Sequence, residues 1–452
     1  MKRLLILAVF IAAAVFNTAA QTATTDTLRM SFRQSVDYAL KNQVAVKNAS
    51  LDAEISHRKS QEYTGIALPQ ISGKFDFADY LKLPTSLIPA EFFGGEPGTY
   101  QAIQFGTQYN GTASLNASQL VFDGRYFLGI KASKTLAELS TKNVTRTTIE
   151  TAQSVMKAYL TALVTNARYQ QLEDNVASLK KTLDNTKALY ESGFVEKVDV
   201  DRIAVGYNNL LVEMEKMEKY RTVSKYLLKF QMGMNVNQEI VLTDTLFEAD
   251  FQQILQNAAM PDANNRVEYQ MLQTSKSLAE MNIKQYQLGY LPSLYAVGGY
   301  SFQAQVNQFD LLPSSEWYNT AFIGFSFNLP IFDGLQKARQ IQQGKLELMK
   351  RDNNLVNFQN SMNLEVANAK SNLENAISTL ETQRSNQELA NEIVTISRKK
   401  FEMGVGSSLE VTDAETSLKE SQNNYLSALY DAWAARIDLE VALGTLAKNY
   451  LP

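Results

Sequence analysis

The sequence predicts a mainly α-helical chain with a small β part, built from one helix–hairpin–long-helix unit written twice. Three observations predict it. Two runs of about 70 residues keep helical periodicity, and no proline occurs from Leu335 to Leu451. Four segments alternate apolar and polar residues, the period of a half-buried strand. Motifs of one half return in the other at a nearly constant offset. Val121-Phe122-Asp123-Gly124 matches Ile331-Phe332-Asp333-Gly334 at 210, and Tyr190-Glu191-Ser192-Gly193 matches Phe401-Glu402-Met403-Gly404 at 211. Asp199-Val200 matches Glu410-Val411, and Gly233 matches Gly444, also at 211. Leu68-Pro69 matches Leu291-Pro292 at 223, so the first copy holds an insertion of 13 before its Phe-Asp-Gly. Solenoid repeats run roughly 20–50 residues; a repeat this long is a duplicated substructure with an internal pseudo-two-fold relation.

Composition narrows the class. A net charge of −4 gives no nucleic-acid footprint. With no cysteine, a disulfide, a thiolate metal site and a lipid-anchored cysteine are all excluded. The single histidine, His57, reads as a solvated helix residue and argues against His-based catalysis or metal binding. No Ser/His/Asp set, phosphate loop or metal-ligand cluster is found, so neither enzymatic activity nor a cofactor is expected. Lys2-Arg3, the apolar run Leu4 to Phe16 and the small residues Thr18-Ala19-Ala20 read as a signal peptide over 1–20. No later apolar stretch reaches the length of a spanning helix. The chain is expected to be exported and not to cross a bilayer as a helix.

In order, Ser31 to Lys41 reads as a short amphipathic helix through Phe32, Val36, Ala39 and Leu40. Gln43 to Ile66 continues helical and stops at Leu68-Pro69, because proline disfavours helix in the residue before it. Strands are expected over about 70–83 and 103–121. Ile71, Gly73, Phe75 and Phe77 oppose Ser72, Lys74 and Asp76; Tyr109, Ala113, Leu115 and Ala117 oppose Asn110, Thr112, Ser114 and Asn116. Between them Pro84 to Gly98, with three prolines and three glycines, reads as a loop. The second copy repeats this over about 293–305 and 317–331, around a loop containing Pro313. Leu294, Ala296, Gly298, Tyr300 and Phe302 oppose Ser293, Ser301 and Gln303; Ala321, Ile323, Phe325 and Phe327 oppose Thr320, Ser326 and Asn328.

Long helices are expected over about 125–191 and 335–403, each roughly 100 Å at ~1.5 Å per residue. Their stripes (Leu172, Val176, Leu179, Leu183; Leu355, Phe358, Met362, Val366) are narrow and diluted with Asn, Gln, Ser and Thr. That suits helices packed side by side with one wet face. Return helices follow over about 198–232 and 409–443. Residues 233–265 read as a mixed connector, with Asp262 capping the helix that leads to the second Leu-Pro. The repeats thus cover 21–250 and 251–452.

Strands with one apolar and one polar face fit a lipid-facing barrel wall. Four strands do not close, and open edges are not tolerated in lipid, so the missing strands must come from other subunits. Two chains give eight strands and a filled interior; three give twelve and room for a channel. The soluble alternative is a sheet packed on a helical core.

These features resemble the TolC-type outer-membrane efflux protein family over nearly the whole mature chain. The most specific segment is Phe401-Glu402-Met403-Gly404-Val405-Gly406-Ser407-Ser408-Leu409-Glu410-Val411-Thr412-Asp413, similar to the family's tip. The resemblance implies a homotrimer, a twelve-stranded outer-membrane β-barrel and a periplasmic α-barrel, a coiled-coil tunnel of twelve helices. It also implies a periplasmic adaptor (membrane fusion) protein, an inner-membrane pump of RND or ABC type, contact with outer-membrane lipid, and no nucleic acid. By the same resemblance Glu410 and Asp413 form the pore aperture, while Asp199, Arg202 and Phe401 make closed-state contacts. Gly193, Phe194, Val195, Gly404, Val405 and Gly406 form an adaptor-contacting tip. Phe401 stands where the family usually has tyrosine, and Gly406 where an arginine often completes the closed network; Arg202 is the candidate substitute. Local chemistry offers a plainer account: Ser407-Ser408-Leu409-Glu410 reads as a capping box, which explains Glu410 as a helix start. Asp413 lies beyond the first turn, on the same side as Glu410. The expected function is the outer-membrane exit duct of an efflux or type I secretion system in a Gram-negative-type bacterium. The alternative is a secreted coiled-coil structural or adhesive protein without a barrel.

Overall fold

The computed structural model describes residues 27–258, 261–309 and 316–450; the expected signal peptide and Pro313 lie outside the described residues. β1 (Leu28–Met30) leads to α1 (Phe32–Asn42) and α2 (Val44–Thr64). β2 (Gln70–Asp79), β3 (Thr85–Pro89), β4 (Tyr100–Gln104) and β5 (Tyr109–Asp123) follow, then α3 (Gly124–Glu191) and α4 (Lys197–Gln231). β6 (Ile240–Leu242) and α5 (Phe251–Gln256) lie in the connector. The second copy is α6 (Val267–Leu288), β7 (Ser293–Val306), β8 (Tyr318–Asn328), α7 (Gln336–Glu402) and α8 (Ser408–Ala442), with α9 (Leu446–Tyr450) after it. The described residues form two compact units, one within Met1–Asn48, Arg146–Arg266 and Ser361–Pro452, the other within Ala49–Thr145 and Val267–Asn360. Each unit draws on both copies, so a sequence repeat is not itself a compact body.

The second of these units holds one four-stranded antiparallel sheet in the order β2-β5-β7-β8. The central pairing, β5 to β7, joins the two copies; β2 and β8 are open edges. Phe75, Ala113 and Phe302 stand in register on the apolar face. That face is bare: Ile71 is 68% exposed, Phe325 74% and Ile323 93%. Leaving such side chains in water forgoes about 1.5–3 kcal/mol each, so the face is built for an apolar environment.

Two departures from expectation lie in the first hairpin. The segment read as a loop opens instead with a strand, β3, which pairs antiparallel with β4 just beyond it, from Thr85↔Gln104 to Pro89↔Tyr100. The strand read as starting near 103 is therefore two strands. Ile103 belongs to the small pair, and Gly106, at φ 107, turns the chain before Tyr109. The alternation runs through this break without a gap, which hides it. The first strand also ends at Asp79, because the next pairing bond, Tyr80 N–H to Gln108 O at 2.7 Å, already belongs to the turn. β8 stops at Asn328, before Pro330, whose nitrogen has no hydrogen to donate.

The repeated Phe-Asp-Gly is a strand-to-helix junction. Asp123 Oδ1 accepts the Arg125 N–H at 2.8 Å and Oδ2 pairs with the guanidinium at 2.7 Å. Asp333 Oδ2 accepts the Lys337 N–H at 3.1 Å and pairs with its ammonium at 3.2 Å. Each carboxylate thus satisfies a first-turn donor where the helix dipole favours negative charge. In the same unit Ser56 and Ser140 share a hydrogen bond at 2.7 Å, tying α2 to α3, and Lys276 pairs with Asp352 at 2.7 Å, tying α6 to α7.

The other unit packs α1 and parts of α3, α4, α7 and α8 around Tyr159, Leu373, Leu429 and Trp433. Ser31 caps α1 through a reciprocal box with Gln34. The Tyr159 hydroxyl donates to Met30 O at 3.0 Å, and Asp244 Oδ2 accepts the Phe32 N–H at 2.6 Å. Burial pushes the Tyr159 phenol above its ordinary range. The connector supplies β6, parallel to β1, and the Phe247 and Phe251 rings on Trp433. Asp262 caps a single 3-10 turn at Ala263–Asn265 rather than α6 itself.

Candidate functional site

Both long helices end in one motif. Gly193 N–H donates to Tyr190 O and Phe194 N–H to Leu189 O, each at 2.9 Å. Gly404 N–H donates to Phe401 O and Val405 N–H to Lys400 O, each at 3.0 Å. This paired closure needs a left-handed residue, which glycine adopts without strain; φ is 78° at Gly193 and 75° at Gly404. Phe194 and Val405, next in each turn, are 79% and 75% exposed. Val195 folds back onto the cluster below.

The return helices start differently. In α4, Glu196 and Asp199 form a reciprocal capping box, with Asp199 Oδ2 accepting the Glu196 N–H at 3.2 Å. In α8, Ser407 Oγ accepts the Glu410 N–H at 3.2 Å, and the box expected there is made from the serine side only. The carboxylates of Glu410 and Asp413 stand exposed on α8.

Beneath them Ser408, fully buried, joins the two copies. Its hydroxyl donates to Asp199 Oδ1 at 2.5 Å and accepts an N–H of Arg202 at 2.6 Å. Asp199 and Arg202 themselves stand 3.8 Å apart. These residues therefore come together around a hydroxyl of the other copy. Gly406 offers no room for a cation of its own. A Cβ there would lie 2.9 Å from Lys400 Cβ and 3.1 Å from Phe401 N. Phe401 is buried with Leu179, Leu183, Ile203 and Val411, so this aromatic anchors packing and makes no hydroxyl bond.

Further clips run along the same helices. Arg398 Nε donates to Glu415 Oε1 at 2.6 Å, joining α7 to α8. Burial pushes the Glu415 carboxyl above its usual range even with that guanidinium beside it. Lys419 pairs with Glu213 at 3.0 Å, and Asn175 Nδ2 donates to Gln422 Oε1 at 2.8 Å, tying α4 and α3 to α8. A groove of about 510 Å³ lies among them, lined in part by Leu179, Val198, Arg202, Glu213 and Glu415. Sequence reasoning missed Ser408, because the preceding serine already accounts for the cap, and missed the clips, whose partners lie up to 247 residues apart. Among the described residues no group of three His, Cys, Asp or Glu side chains is placed to hold a metal ion, and no helix is long and apolar enough to cross a membrane.

Comparison with known proteins adds family context. The family model for outer membrane efflux proteins matches residues 263–445. The outer membrane protein TolC of Vibrio cholerae is 22% identical over 339 residues, covering 75% of this chain and 77% of that protein. Its Escherichia coli counterpart is 23% identical over 357 residues, covering 75% and 70%. Among solved structures, CusC superimposes with a TM-score of 0.70 at 16% identity, over 94% of this chain and 95% of that one. The Campylobacter jejuni CmeC outer membrane channel gives 0.68 at 16% identity, over 92% and 85%.

Proposed function

We infer that this chain, a member of the TolC-type outer-membrane efflux protein family, is the outer-membrane exit duct of a tripartite efflux or type I secretion system. The carrying observation is the four-stranded sheet with one bare apolar face and two open edges, each of whose hairpins feeds a helix of 67 or 68 residues. A secreted coiled-coil protein has no use for such a face. Because unpaired edges are not tolerated in lipid, β2 and β8 are read as seams between subunits, and three chains as closing a twelve-stranded barrel. In this reading 1–20 is a removed leader and 21–250 and 251–452 are the two structural repeats. With no cysteine in the sequence, no cysteine-linked lipid anchor is expected in this reading.

Glu410 and Asp413 are assigned to the aperture, where three chains would set two rings of three carboxylates; rings of one sign govern ion selectivity. Purified protein is expected to run as a trimer and to form cation-selective channels in planar bilayers. Glu410→Ala with Asp413→Ala should cut the cation preference several-fold with the trimer unchanged. A stable monomer without channels would sink the duct reading, and unchanged selectivity would return Glu410 to a helix start.

The tip Gly193-Phe194-Val195 and Gly404-Val405-Gly406 is assigned to the periplasmic adaptor, which couples the duct to an inner-membrane pump of RND or ABC type. The bare Phe194 and Val405 and the tight glycine turns support this. Phe194→Glu with Val405→Glu should abolish efflux in cells while the trimer stays in the outer membrane; surviving efflux places the contact elsewhere.

A further inference from the structure

Phe322 is among the residues that break the strand alternation, as Tyr295 and Val297 do in β7. Ala321, Phe322 and Ile323 are three consecutive apolar residues in β8, so Phe322 falls on the polar face. Its row across the sheet is Ser72, Asn116, Gly299 and Phe322, and the adjacent row is Lys74, Ser114, Ser301 and Thr320. The ring lies over Gly299: a Cβ at that glycine would meet ring atoms at 2.4 and 2.8 Å and Asn116 Oδ1 at 3.2 Å. An aromatic laid on a cross-strand glycine restores the missing side-chain cover of a sheet. That accounts for the glycine. It does not account for a ring still 55% exposed in a row it shares with Ser72 and Asn116.

We propose that Phe322 is a cargo-contacting residue of the barrel lumen, a binding position for aromatic and apolar cations. This rests on the duct reading, in which the polar face lines the lumen and three chains set three such rings at one level. Each ring lies against Gly299 and stays more than half exposed on the lumen side. An aromatic face attracts another ring by stacking and a cation by its quadrupole, and the one charge in the adjacent row, Lys74, is paired with Asp76 at 2.8 Å. The acids assigned to the aperture would admit cations, and the Phe322 level would retain those that carry aromatic groups.

The test uses the full-length trimer in planar bilayers with tetraphenylphosphonium added from the barrel side. Wild-type current should be blocked at micromolar to millimolar probe. Phe322→Leu keeps apolar cover on Gly299 and so guards against misfolding; it should raise the half-blocking concentration about tenfold. Phe322→Ser should raise it at least as far, and Phe322→Trp should lower it. Equal block of wild type and Phe322→Leu overturns the proposal while leaving the duct reading standing. A wild-type protein that forms no channel overturns the duct reading itself.

Discussion

Ser408→Ala is expected to leave the trimer assembled and to raise the channel's open fraction by a factor of about 5–30. The residue is fully buried and its hydroxyl bridges Asp199 and Arg202 at 2.5 and 2.6 Å. Hydrogen bonds to charged groups contribute about 1.5–3 kcal/mol each when buried. Two things reduce that here. The Arg202 and Asp199 side chains are 38% and 22% exposed, so solvent screens part of the gain. They also stand 3.8 Å apart, near enough to close directly once the hydroxyl is gone. A net loss of about 1–2 kcal/mol remains, which is the stated factor. Single-channel recording reads it as open probability. Arg202→Ala should act in the same direction, because Asp199 then keeps the Ser408 hydroxyl and the Glu196 N–H but no cation. If both variants gate like wild type, the bridge is a staple between return helices that move together, and closure is held elsewhere.

This bridge also marks where sequence legibility ended. The long helices were readable because nothing interrupts them and because each stops at a glycine whose left-handed turn is a local demand; Gly193 and Gly404 set the ends almost to the residue. The sheet was readable wherever alternation was backed by a real partner, as Phe75 is by Ala113 and Phe302. It misled around Ile103, where the period of two continued across Gly106 although the partner strand changed. Phe322 shows the converse, a break in alternation whose reason, Gly299, lies on another strand. For the tip, the family resemblance named Asp199 and Arg202 as members of one set of contacts. The sequence had no means of placing Ser408 between them, since that contact depends on how two helices 206 to 209 residues apart in sequence are docked.

Gly444→Val is expected to be the most damaging single change outside the hydrophobic core, with Gly233→Val its counterpart in the first copy. Both glycines end a return helix in the same closure seen at the tip. Gly233 N–H donates to Phe230 O at 3.0 Å and Met234 N–H to Lys229 O at 2.9 Å; Gly444 N–H donates to Val441 O and Thr445 N–H to Glu440 O, each at 2.9 Å. Both are left-handed, at φ 68° and 70°. Unlike the tip glycines, they are pressed on the chain that opens their own copy. A Cβ at Gly444 would lie 2.7 Å from Asn265 O, and one at Gly233 would lie 2.8 Å from Asn42 O and from Gln43 Cα. Those atoms are backbone and cannot rotate aside. The same junctions hold the helix ends from the other side: Arg266 donates to Ala442 O at 2.9 Å, and Gln43 donates to Gln231 O at 3.1 Å. A left-handed L-residue costs about 1–2 kcal/mol, and overpacking against a fixed wall adds about 1–3 kcal/mol, a large part of a domain's net stability. Alanine separates the two costs. At Gly404 a Cβ meets nothing within 4 Å, so Gly404→Ala bears only the conformational cost. Gly444→Ala bears both and should lower the thermal midpoint of the trimer further than Gly404→Ala does, with Gly444→Val failing to give folded trimer at all. Equal midpoints for the two alanine variants would mean that the Asn265 backbone yields and that the close approach is not what fixes the return helix to the start of its own repeat.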